Sequence, residues 1–71
     1  MSLIGMKLLK AAESELKAKK AKAEANLTVL LENPIGIGEH TDLVTEVRYF
    51  ITAIADAEDE LEIVDKFYEK F

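Results

Sequence analysis

From Leu43 to Phe71 the apolar and aromatic positions fall at Leu43, Val47, Phe50, Ile54, Ala57, Leu61, Val64, Tyr68 and Phe71, in alternating steps of four and three. A period of about 3.5 residues keeps such side chains on one side of an α-helix, and a stripe this long needs a facing helix to cover it. The stretch from about Met6 to Glu32 supplies that helix. It is rich in Ala, Leu, Lys and Glu and has no Gly or Pro. Its own seam runs through Leu9, Ala12, Leu16, Lys19 or Lys20, Ala23, Asn26 or Leu27, and Leu30, and is smaller in the middle than its partner.

Between the two patterns Asn33-Pro34 ends the first helix, because Pro cannot donate into the ladder and disfavours helical geometry in the residue before it. Gly36 and Gly38 permit a turn, and Thr41 or Asp42 can cap the next helix. Ile35 and Ile37, alternating with the glycines, suggest a loop folded over the tip. The pattern therefore predicts an all-α fold: one antiparallel two-helix hairpin over 1-71, with a helix at about 6-32, a turn at about 33-40 and a helix at about 41-70.

Folding back about the loop brings together residues whose numbers sum to about 73, so that Leu27 meets Val47, Ala23 meets Phe50, Leu16 meets Ala57, Ala12 meets Leu61 and Leu9 meets Val64. Large repeatedly faces small. Charge supports the same pairing: residues 1–31 carry six Lys against three Glu, whereas residues 41–71 carry nine acids against Arg48, Lys66 and Lys70. In that registry Lys17, Lys19, Lys20 and Lys22 run alongside Asp56, Glu58, Asp59 and Glu60. Each exposed pair contributes only about 0–1 kcal/mol, so orientation is the main gain.

Size changes the picture. At 71 residues the chain is near the lower limit for a single core, and one seam between two helices falls short of the ordering entropy of roughly 1–2 kcal/mol per residue. With no Cys there is neither a disulfide nor a thiolate metal site to help, which leaves self-association. Two hairpins making a four-helix bundle are the expected solution. Near the loop Leu27, Val29, Leu30 and Leu31 point in several directions, and on the second helix Val44 and Ile51 flank the seam where Glu58 and Asp65 stand further along. The expected interface is thus the loop-proximal set Leu27, Val29, Leu31, Ile35, Ile37, Val44 and Ile51, with a smaller site at Phe67 and Phe71, which can equally pack on Leu3, Ile4 and Leu8.

No apolar run approaches the roughly 18 residues of a membrane span, so a soluble chain is expected. A net charge of -5 argues against a nucleic-acid partner. Met1-Ser2-Leu3 reads as an added leader, with the natural start at or near Met6.

Candidate chemistry is sparse. Gly36-Ile37-Gly38 resembles the start of a dinucleotide fingerprint but lacks the third glycine and the preceding strand. Glu39, His40 and Asp42 are the only polar cluster with metal-ligand character, too few in one chain unless an oligomer shares the site; service at the helix start explains His40 and Asp42 more simply. The acidic run from Asp56 to Glu62 reads as a mimic of nucleic acid only if the lysines of the first helix leave it unneutralised. No nucleophile stands beside a base, so no enzyme and no cofactor are expected.

The turn Asn33-Pro34-Ile35-Gly36-Ile37-Gly38-Glu39-His40, then Asp42-Leu43-Val44 and later Ala57-Glu58-Asp59-Glu60-Leu61-Glu62, resembles short hypothetical proteins of T4-like tailed bacteriophages, including marine ones. The resemblance covers roughly residues 20 to 70 and carries no functional residues with it. It implies action in the cytoplasm of an infected bacterial host or in the particle, with a host or phage protein as a further partner. From the residues alone, the expectation is a structural or regulatory protein-interaction module that binds itself. The alternative is a metal or small-ligand site at the hairpin tips of an oligomer.

Overall fold

The computed structural model describes residues 1–33 and 42–70, and among them it contains two helices, α1 (Leu3–Glu32) and α2 (Leu43–Lys70), packed along their lengths. The molecule is a rod with principal extents of 52 × 17 × 15 Å. Among the described residues no helix is long and apolar enough to cross a membrane.

Both helix starts are set by capping side chains. Ser2 is extended and its Oγ accepts a hydrogen bond from the Gly5 N–H at 2.9 Å, which draws Leu3, Ile4 and Gly5 into the first turn. Helix α1 therefore begins three residues earlier than the expected start at Met6; of the residues read as a leader, Ser2 is its cap and Leu3 its first residue. For α2 the cap is Asp42: its Oδ1 accepts from the N–H groups of Val44 and Thr45 at 3.1 and 3.2 Å, and its Oδ2 from the Thr45 hydroxyl at 2.8 Å. Glu46 in the first turn and Lys70 in the last also suit the helix dipole. At the end of α1, Asn33 leaves helical geometry while its N–H still reaches the Val29 carbonyl at 3.0 Å. The expected contributions of Pro34, Ile35, Gly36, Ile37, Gly38 and Thr41 lie outside the described residues.

The buried residues are Leu16, Ala23 and Leu30 on α1 and Ala57 and Val64 on α2, each set seven apart. Half-buried neighbours complete the seams: Met6, Leu9, Glu13, Lys20 and Leu27 on α1, and Val47, Phe50, Ile54, Leu61 and Tyr68 on α2. From Val47 to Tyr68 the stripe of α2 is the expected one; Leu43 is exposed and Phe71 lies outside the described residues. That of α1 settles on Lys20 over Lys19 and Leu27 over Asn26, and it takes Glu13 in place of Ala12, which is exposed.

The expected pair Ala23 and Phe50 shares one groove, as do Lys19 and Glu60. One cross-helix ion pair departs from the expected registry. The Lys20 Nζ lies 3.4 Å from Glu58 Oε1. That pair has residue numbers summing to 78, not about 73. A shift of half a heptad leaves both stripes facing inward, so periodicity alone does not choose between such registries. Ala57 is only 2 % exposed, and the half-buried Lys20 reaches Glu58, the next residue in the chain.

Candidate functional site

Of the three candidate metal ligands, Glu39 and His40 lie outside the described residues. Asp42 is engaged by Thr45 and Val44, and those hydrogen bonds, first the Thr45 hydroxyl and then the backbone N–H groups, hold its carboxyl below the usual range. Among the described residues no three His, Cys, Asp or Glu side chains converge as a metal site. Tyr68 is shifted upward, chiefly by its partial burial and then by the charges of Glu13 and Asp65. Glu13 itself pairs with Lys17 at 3.8 Å.

The acidic run of α2 faces lysines of its own chain. Besides the Lys20–Glu58 pair, Lys19 and Lys22 share the groove with Asp56 and Glu60. Lys17 and Lys19 also pair along α1, with Glu13 and with Glu15 at 3.8 and 3.9 Å, where the expected cross-helix pairing gave them partners only on α2.

The most distinctive surface is apolar. Positions seven apart share a face of each helix, and this sorts the exposed large side chains onto the two sides of the hairpin. One side carries the grooves. There Leu8 and Phe67 line one groove and Tyr49 the other, and Val29 and Ile63 fall in the same rows by the repeat of seven, each between 45 % and 67 % exposed. Ala53 and Asn26 lie between them toward the loop end, and Gly5 and Ala12 at the far end, so the surface between the ridges is shallow and low. Tyr49 also meets Phe50 of the seam edge to face, with ring centroids 5.4 Å apart. The Lys70 ammonium lies 5.7 Å from the centroid of the Phe67 ring.

The other side carries Leu3, Leu31, Val44 and Ile51, all exposed. The loop-proximal set expected from the sequence is thus divided: Val29 is on the grooved face, Leu31, Val44 and Ile51 are on the opposite one, and Leu27 is half-buried within the hairpin seam. Ile35 and Ile37 lie outside the described residues. Sequence reading missed Leu8, Tyr49 and Ile63 as members of one face. The signal for them was the repeat of seven itself, diluted by Glu15, Lys22 and Asp56 at intervening turns. No family model, curated protein or solved structure matches this chain, so its function is argued from its own surface.

Proposed function

We propose that this chain is a non-catalytic, self-associating helical hairpin, two copies of which form a four-helix bundle that serves as a structural or regulatory interaction module. The observation that carries this reading is the imbalance between core and surface. Among the described residues five are buried, two of them Ala, while Leu8, Val29, Tyr49, Ile63 and Phe67 are left exposed on one face. Burying a large apolar side chain returns about 1.5–3 kcal/mol, so covering that face supplies what a single seam between two helices lacks. The resemblance of the turn and of the acidic segment to small proteins of T4-like phages supports a role in the cytoplasm of an infected bacterium, with a host or phage protein as a further partner.

The test is thermal melting followed by circular dichroism over a hundredfold range of protein concentration. If folding and association are coupled, the melting temperature rises with concentration. A melting temperature independent of concentration contradicts the proposal.

A further inference from the structure

We infer that the second copy lies on the grooved face with its two-fold axis parallel to the long axis of the hairpin, so that both loop ends are at the same end of the bundle. This rests on the self-association proposed above and adds which face pairs and how. Two symmetric ways exist to lay one hairpin face to face on another. With the axis parallel to the rod, α1 of one copy lies over α2 of its partner; with the axis across the rod, α1 lies over α1 and α2 over α2, with loops at opposite ends.

Charge separates the two. On the grooved face α1 presents Lys19 and Lys22 at mid-length, and α2 presents Asp56 and Glu60 at the same level. A crosswise axis near mid-length sets Lys19 against the partner's Lys19 and Asp56 against the partner's Asp56, while Lys22 falls near the partner's Glu15. Like charges so placed disfavour that arrangement. The Lys19–Glu15 pair, at 3.9 Å on the surface, is too weak to remove the positive charge of this level. A lengthwise axis puts each lysine pair over the partner's carboxylates instead. It also stacks Val29 toward the partner's Tyr49 at the loop end and Leu8 toward the partner's Ile63 and Phe67 at the far end. The small Gly5, Ala12 and Ala53 let the backbones approach.

The opposite face is a poorer seat. At its far end Leu3 stands alone among the exposed large apolar residues, where the grooved face has Leu8, Ile63 and Phe67.

Because the chain has no Cys, a nitroxide on Glu32→Cys gives a single label on the outer side of α1 next to the loop. With loops together, pulsed electron resonance reads a label separation of about 25–30 Å, the bundle diagonal plus the label arms; with loops opposed it reads about 45 Å or more, since α1 rises about 1.5 Å per residue. The short distance is expected and the long one overturns the axis. The choice of face is tested by Ile63→Glu and Ile51→Glu in sedimentation, with helicity recorded for each. Ile63→Glu is expected to weaken association at least tenfold and Ile51→Glu to leave it within about twofold. The reverse pattern, or equal effects, overturns the face. A parent chain that sediments as a monomer instead defeats the self-association on which the inference rests.

Discussion

Asp42 concentrates more hydrogen bonds than any other side chain among the described residues, and their effect on its acidity makes it testable by pH. Its carboxyl is held below the ordinary aspartate value by the Thr45 hydroxyl and backbone hydrogen bonds, so the folded state binds this proton less tightly than the unfolded state. The capping contribution is therefore fully present above that value and is lost as pH falls through the lower, folded one. Between about pH 5 and pH 2 the melting temperature of Asp42→Asn should fall less steeply than that of the parent, the difference lying in this window. Parallel curves would show that Asp42 does not cap α2 in solution. Asp42 as a cap was legible in the sequence, since it precedes an unbroken apolar stripe. The role of Ser2 was not, because a short polar segment before a helix looks the same whether or not its hydroxyl turns back onto the first turn.

Packing of α1 against α2 makes neighbouring residues very unequal. Leu30 is buried in the seam whereas Leu31, one step around the helix, is exposed on the face opposite the grooves. Leu30→Ala should cost about 2–3 kcal/mol, toward the low end for a buried leucine because a seam one layer thick relaxes readily, and Leu31→Ala within about 0.5 kcal/mol. Chemical denaturation measures both; equal losses would show that the seam runs elsewhere. From Val47 to Tyr68 the α2 stripe was fully readable because every step of four or three lands on an apolar residue. Along α1 the choice among Ala12, Glu13, Lys19 and Lys20 was not, since Ala is compatible with either side and a charged residue in the seam hides its stem. Registry was less legible still: the two stripes interlock at each half-heptad, and the level at which Lys20 meets Glu58 depends on the whole length of packing.

At the scale of the molecule, a rod 52 Å long with a narrow core leaves more large apolar side chains exposed than buried among the described residues, and the proposed self-association would cover part of them. In that proposal, charge segregation between a basic α1 and an acidic α2 orients both the hairpin and the pair. That two faces exist was hidden in the sequence, because deciding which flank of one helix adjoins which flank of the other requires the hairpin itself. The site offers no metal chemistry among its described residues, and Asp42 is already committed to its cap. Zn, Ni and Mn should therefore leave the melting temperature unchanged; a rise that disappears in His40→Ala would establish a metal-binding tip. The central claim is that the folded unit is a pair of hairpins, and sedimentation equilibrium of the unmodified chain measures this most directly. A mass of twice the 7.9 kDa of one chain is predicted, and a mass of 7.9 kDa at micromolar concentration with full helicity would contradict it.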